Sequence, residues 1–553
     1  MDPHPFGWLS LVPPLVAITL AILTRRTLVS LLFGIVVGAI ILHNGNPITG
    51  LWSACADYLW VKATDWDKVQ VYLFTLLTGG MIGVVSASGG MRGLVNLIVR
   101  FANTRVKGQV TGWLMGLAIF FDDYANMLLL GGTLKEVTDR LKISREKLAY
   151  MVDSTAAPVA GLALISTWVA TEISFIEEGI NQISGSEKPD AFLLFVQSIP
   201  YRFYSWWALL LVPLVAVSRR DFGPMLKAEV TMLSQGPTKD VKSESEETLP
   251  ESSSWLNAAI PVGTMLAGVM AILYWTGYQA VTRESIEPSL LQIIGQGNSY
   301  QALLYGSAAS LVVAILLIAP QRLLSAGQFG RAILKGFHAM LPALLILWLA
   351  ASLAAQTEPP SIDEETGQMT LNGLNTAGYL KQLLETSLPI EMLPTTVFIL
   401  AAAVAFSTGT SWGTMGILVP LSVSLSASML TGGGENLDVA DPVLLSVVGS
   451  VLAGAIFGDH CSPISDTTIL SSQSCGCNHM AHVRTQMPYA IMGAVLSVIL
   501  GTVPVSYGVP VYVCHILGVG AMIGTLFLLG KNPEKLAAEI ESESQSHVDG
   551  RQP

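Results

Sequence analysis

Apolar stretches of bilayer-spanning length recur from one end of the chain to the other, with short polar connections between them. A helix needs about 20 predominantly apolar residues to cross the hydrocarbon core. About eleven segments qualify, near 6–23, 27–43, 69–89, 149–172, 203–218, 256–279, 301–319, 332–354, 443–475, 487–506 and 509–529. Two further apolar stretches, 110–133 and 393–430, are interrupted at their centres. The first carries Asp122-Asp123-Tyr124-Ala125-Asn126 and the second Ser407-Thr408-Gly409-Thr410-Ser411-Trp412-Gly413-Thr414. Both are expected to be re-entrant hairpins that enter and leave by one face.

On that threading, residues 1–218 and 255–507 each hold three spans, a hairpin and two spans, and the two halves start from opposite faces. The expected fold is an all-α polytopic membrane protein built from two inverted-topology repeats. Residues 508–530 add a final span and 531–553 a charged tail. The polar connection 219–254, with Lys239-Asp240-Val241-Lys242-Ser243-Glu244, is expected to be a mobile linker.

Charge orients this arrangement. Most of the 29 Lys and Arg fall on connections of one side, among them Arg92, Arg105, Lys107, Arg140, Arg145, Arg219 and Arg220, which marks that side as cytoplasmic. The other side keeps few bases, such as Lys62, Lys68 and Arg202, and carries Asp65, Glu172, Glu177, Glu178, Glu358 and Asp438. The N-terminus is therefore expected outside and the C-terminus in the cytoplasm, in an inner (plasma) membrane of bacterial type. The first apolar run lacks a positive start and is expected to be a retained span rather than a signal peptide.

Composition agrees with the pattern. Of 553 residues 51% are hydrophobic and 12% charged, with a mean hydropathy of +0.55. Soluble domains carry roughly 25% charge, so lipid is the expected partner and no sizeable soluble domain is expected. The net charge of -11 is segregated between the two faces and implies no nucleic-acid surface. Five cysteines form no disulfide framework.

The candidate chemistry lies where apolar segments are interrupted, because irregular backbone at membrane depth is tolerated only where it lines a cavity. Beside the two hairpin centres there is a second pair, Asp153-Ser154-Thr155-Ala156-Ala157-Pro158 and Gly458-Asp459-His460-Cys461-Ser462-Pro463-Ile464-Ser465-Asp466-Thr467-Thr468. In each an Asp precedes a Pro, and each helix is expected to break there. Hydroxyl, amide and carbonyl oxygens with a balancing carboxylate suit a desolvated Na⁺. A charge at the bilayer centre costs at least ~2.5 kcal/mol, so Asp122, Asp123, Asp153, Asp459 and Asp466 are expected to be functional or paired.

Plainer roles stand beside these. Asp122 and Asp123 suit a solvated turn, Asp153 a helix cap, and the Gly-Thr-Ser centre close helix packing. Glu172 is expected at the membrane interface. Cys475, Cys477, His479 and His482 have a soft-metal look, but their spacing matches no common zinc pattern. His460, beside Asp459, is a candidate proton partner.

The run from Gly458 to Thr468, with Phe121-Asp122-Asp123-Tyr124-Ala125-Asn126 and Asp153 to Pro158, resembles the NhaC family of Na⁺/H⁺ antiporters, within the larger ion-transporter superfamily. The resemblance spans most of the chain. It implies inverted repeats, re-entrant hairpins, a homodimer with a scaffold and a moving transport domain, and elevator-like alternating access. It also implies Asp153, Ser154, Thr155, Asp459, Ser462, Ser465, Asp466 and Thr467 as ion-site residues, with Na⁺ at Asp459 and Asp466. The pair His460-Cys461 departs from the Lys or Asn plus apolar residue of the antiporter subgroup, and leaves the substrate open.

The leading expectation is exchange of Na⁺ or Li⁺ for H⁺, these ions being cargo, with no cofactor. The rival is Na⁺- or H⁺-coupled carriage of an amino acid or carboxylate. No Arg or Lys lies in the interrupted segments, which favours a bare cation. An enzyme is disfavoured, because no nucleophile has a base beside it.

Overall fold

The computed structural model describes residues 5–24, 26–93, 101–120, 122–164, 166–183, 189–235, 254–283, 293, 297–358, 361–362, 369–370, 373–384, 388–431, 437–463 and 465–549. Its described secondary structure is helical except for a two-residue ladder, Ser361–Ile362 against Met369–Thr370. Nine described helices are long and apolar enough to cross a membrane, or ten if Ala191–Tyr201 and Phe203–Ser218, bent by 48°, make one span. The first two expected spans appear as shorter apolar helices, Gly7–Ala21 and Leu28–Leu42.

One group of helices comprises α1 (Val12–Thr24), α2 (Thr27–Leu42), the short α3 (Pro47–Ser53) and α4 (Trp60–Thr64), and α5 (Trp66–Ala87). A second group begins with α6 (Arg105–Ala118), α7 (Asp123–Arg140), α8 (Arg145–Leu162), α9 (Val169–Asn181), α10 (Ala191–Ser198) and α11 (Phe203–Ser218). After α12 (Gly223–Gln235), the helices α13 (Leu256–Arg283), α14 (Ser299–Ile318) and α15 (Ala326–Thr357) pack back onto α5 and α2.

The chain then runs through α16 (Thr376–Leu384), α17 (Leu393–Thr408), α18 (Ser411–Leu430), α19 (Pro442–Cys461), α20 (Asp466–Ser474), α21 (His479–Leu496), α22 (Val503–Ser506), α23 (Val511–Leu529) and α24 (Pro533–Asp549). The two groups meet where α9 and α18 lie against α5 and α15.

Helix α19 is the axis of the second group. Of its apolar window 89% is buried, against 22% for α23, so α19 runs through the core and α23 along its rim. Small residues allow this: a Cβ on Gly458 would collide with the Ala402 carbonyl of α17, so the two helices touch backbone to backbone. The turn between α17 and α18 rests on Gly409, whose φ of +70° favours a residue without a side chain.

Three expectations need correction. Pro158 does not break its helix, which continues to Leu162. A proline removes one donor, and the dense burial of residues 147–161 holds the helix together. The interruption comes instead at 163–168, where the Ser166 hydroxyl bonds the Ala160 carbonyl (2.8 Å) and accepts from the Trp168 amide (3.1 Å), offering the backbone an alternative to helix.

The linker is not mobile at its start. Residues 223–235 form α12, whose Glu229 is fully buried, accepts from the Ser144 amide at 2.7 Å and pairs with Arg105. Residues 236–253, including Lys239 to Glu244, lie outside the described residues. Glu172 is not a solvent-facing interfacial acid either: it is buried within the fold, 1% exposed, and pairs with Arg202 at 2.6 Å. An ion pair makes such depth tolerable, and Arg202 stands 30 residues away in sequence.

Candidate functional site

The centre is assembled from the end of α19, the start of α20 and the facing sides of α8 and α21. Helix α19 leaves helical geometry at Ser462, whose backbone is extended, and α20 restarts with Ser465 as its N-cap, accepting from the Thr468 amide at 3.4 Å. This short gap turns Asp459, Ser465, Thr467 and Thr468 toward one another. The Thr467 hydroxyl donates to Asp459 Oδ2 at 2.7 Å and shares a 2.8 Å bond with Ser465 Oγ. Thr468 reaches the Asp459 carbonyl (3.3 Å) and Asp153 Oδ2 (3.4 Å), so one hydroxyl links the Asp153 carboxylate to the backbone of Asp459. Asp153 and Asp459 are fully buried.

Asp153 sits mid-helix in α8 and faces α21. Gln486 donates its amide to Asp153 Oδ2 at 2.5 Å and to the His460 carbonyl at 3.0 Å. His482, one turn earlier, places Nε2 at 3.4 Å from the same carboxylate oxygen and 3.2 Å from Ser471 Oγ. Asp153 Oδ1 has no hydrogen-bond partner among the described residues. His460 turns its Nδ1 to the Tyr204 hydroxyl at 2.9 Å.

The remaining candidates support this centre at different distances. Asn126 ties the tip of α6 to α8, donating to the carbonyls of Gly116 (2.9 Å), Ile119 (3.1 Å) and Thr155 (3.5 Å). Asp122 and Asp123 flank that tip and are 3% and 1% exposed, which excludes solvated turn residues. The Thr155 hydroxyl turns back on Met151 (2.7 Å), and Ser154 lines a cleft beside His460 and Gln486.

Ser462 donates to the Phe406 carbonyl at 2.7 Å and so fastens the α19–α20 gap to the end of α17. Ser407 and Thr408 donate to Ala403 and Val404 of their own helix, while Thr410 caps α18 through Gly413. Ser411, 2% exposed, opens that helix. Asp466 is the first residue of α20, and its side chain lies outside the described part.

Buried cations stand around the site, each engaged elsewhere. Arg202 holds Glu172 and the Gly161 carbonyl, Lys147 holds Asp221 (2.6 Å), and Lys68 holds Glu177 and Glu178 (2.7 and 2.8 Å). Among the described residues no group of three His, Cys, Asp or Glu is placed to hold a metal ion.

The residues missed in the sequence are His482, Gln486, Thr468 and Tyr204. His482 and Gln486 share a face at i and i+4 of α21, which was the available signal. Tyr204 had none, since a tyrosine in an apolar run is common.

A sequence model described as the Na⁺/H⁺ antiporter family matches residues 159–503, from the end of α8 to the start of α22. The chain belongs to the Na⁺/H⁺ antiporter family. That match takes in Asp459 to Thr468 and His482 and Gln486 of α21, the greater part of the centre just described.

A Haemophilus influenzae protein of uncharacterized function is 33% identical over 488 residues, covering 87% of this chain and 88% of its own. The malate-2H⁺/Na⁺-lactate antiporter of Bacillus subtilis is 35% identical over 119 residues, 21% of this chain and 23% of that one. Among solved structures, the Alcanivorax borkumensis YdaH transporter superposes with a TM-score of 0.56 at 14% identity, over 84% of this chain and 90% of that one. This likeness is one of fold. This member of the antiporter family is therefore a multi-pass membrane protein and a secondary transporter.

Proposed function

We propose that the protein exchanges Na⁺ or Li⁺ for H⁺ by alternating access, with Asp459 and Asp153 as the carboxylates that bind cation and proton in turn. The observation that carries this reading is that two buried aspartates, from helices far apart in sequence, meet at Thr468, which links the Asp153 carboxylate to the Asp459 backbone carbonyl beside the hydroxyl oxygens of Ser465 and Thr467. Oxygen-rich, carboxylate-balanced surroundings suit a hard cation. A proton neutralises the same carboxylate, so one site serves either ion and never both. Asp466, next to Thr467, belongs with this set on the family resemblance. The linker and tail then face the cytoplasm of an inner membrane, the N-terminus lies outside, and the protein works as a homodimer.

The cleft beside the site has room for about one water-sized group, which favours an ion over a solute. The Bacillus relative, named for malate and lactate, supports the second reading, a cation-coupled carrier of a small carboxylate.

The test is dye-reported proton movement in liposomes holding the purified protein, with an imposed pH gradient and pulses of Na⁺, Li⁺, K⁺, malate, lactate or amino acids. Na⁺ and Li⁺ should collapse the gradient. Asp459→Asn should lower the rate by about 100-fold or more, since the neutral amide can neither balance the cation nor take up the proton, a loss of about 3 kcal/mol in binding. Collapse only when a carboxylate or amino acid accompanies the cation would establish the second reading.

A further inference from the structure

A narrow cleft runs beside the site and meets it at Gln486, which bonds Asp153. Tyr150 and Ser154 of α8, Tyr204 of α11, His460 of α19, and Gln486 and Tyr489 of α21 line it. Tyr204, Ala208 and Leu211 follow it at i, i+4 and i+7 of α11, a rise of about 10 Å at 1.5 Å per residue. That stripe leads from the level of His460 toward Ser218, where α11 ends and the linker begins. The cleft therefore starts at the site and points to the face that carries linker and tail.

Its inner end is polar and in touch with Asp153. Gln486 bonds the carboxylate with its amide, while its Oε1 is buried and has no hydrogen-bond partner among the described residues. An unpaired buried oxygen of that kind is costly, and a polar cleft wide enough for one water-sized group provides its partner.

Its outer end is shut by one side chain. The Tyr489 hydroxyl donates to Asp221 Oδ1 at 2.9 Å and accepts from the Phe222 amide at 3.3 Å. The Tyr489 ring lies against Tyr150 and Phe222, with centroids 4.9 and 4.3 Å away. The other oxygen of Asp221 takes Lys147 at 2.6 Å, and both residues are buried, at 1% and 3% exposed. Asp221 also exchanges backbone hydrogen bonds with Lys531 below α23. The first residues of the linker thus bolt Tyr489 across the cleft.

We infer that this cleft is the path of the transported cation between the site and the linker side, and that Tyr489, held by Asp221, is its gate. The inference rests on the cation reading for what passes, and on geometry alone for the path. A hydrated cation passes hydroxyl and amide oxygens on the way in, and the bond to Asp221 must open to admit it.

The test is thiol labelling of Ala208→Cys in a chain whose native cysteines have been replaced. A charged, membrane-impermeant methanethiosulfonate is added from the tail side or from the opposite side of oriented vesicles. Labelling should occur from the tail side, and Tyr489→Phe, which keeps the ring and loses the bond to Asp221, should speed it about tenfold. Na⁺ should slow it.

Labelling from the opposite side alone would overturn the path, and an unchanged rate in Tyr489→Phe would overturn the gate. Tail-side labelling that Tyr489→Phe accelerates, and that malate or lactate slows while Na⁺ alone does not, would uphold path and gate and refute only the cation reading.

Discussion

Arg202 and Glu172 show what a charge inside this protein requires. Arg202 is 1% exposed, pairs with Glu172 at 2.6 Å, bonds the Gly161 carbonyl at the end of α8 and lies over the Phe195 ring at 4.7 Å. It therefore staples the two sides of the 163–168 interruption. Removing one partner strands the other, so Arg202→Met should destabilise by about 3–5 kcal/mol, while Arg202→Met with Glu172→Met should cost far less. Thermal unfolding of the purified protein in detergent measures both, and equal losses would show that packing rather than charge governs the site.

At this scale acids in apolar runs were the legible part. Asp153 and Asp459 stand out because bare charge in lipid is costly. His482 did not, because its neighbours Cys475, Cys477 and His479 suggested a metal cluster, whereas its described contacts are Asp153 and Ser471. Glu172 was misjudged because its partner is remote in sequence.

The two prolines, Pro158 and Pro463, behave differently as parts of elements. Around Pro463 the chain has what it needs to stop and restart: extended backbone at Ser462, an N-cap at Ser465, and His479 Nε2 at 2.7 Å from the Pro463 carbonyl. Pro158 has none of these and stays helical. A proline marks where a helix can break, and local side-chain hydrogen bonds decide whether it does.

The segment 47–64 falls between the expected spans 27–43 and 69–89. In the structure it is a nearly continuous helix, α3 and α4 joined by a π-helical stretch, Ala54–Leu59. Gly50, Ser53, Ala54 and Tyr58 are buried against α2 and α15, whereas Trp52, Trp60 and Val61 are 75%, 67% and 49% exposed. The π turn shifts the register midway, so the apolar positions follow no single helical period. Exposed tryptophans beside membrane helices belong at the lipid interface. In vesicles, lipids brominated near the headgroup should quench Trp52 and Trp60 more strongly than lipids brominated deep in the chain. The opposite order would place this segment in the bilayer interior.

For the molecule as a whole, spans and interruptions could be read from local pattern, but the seam between the two helix groups could not, because it depends on which helices meet. Polar contacts concentrate where α9 crosses it. Lys68 of α5 bonds Ser174 (2.9 Å), Glu177 (2.7 Å) and Glu178 (2.8 Å), Tyr300 of α14 joins Glu177, and Gln182 reaches the Ala354 carbonyl of α15 at 3.2 Å. Lys68 and Glu178 are buried, so these bonds cannot be traded cheaply for water while the seam stays closed.

Alternating access by movement of the site-bearing group against the other would require the seam to slip, and these bonds would have to break in every cycle. In a chain freed of native cysteines, Gln182→Cys with Ala354→Cys, which spares the buried ion pairs, joined by a short bis-maleimide should therefore abolish exchange, and the same pair left unlinked should retain it. Full exchange in the completely linked protein would mean that the two groups stay fixed and that the path opens by smaller motions around Tyr489.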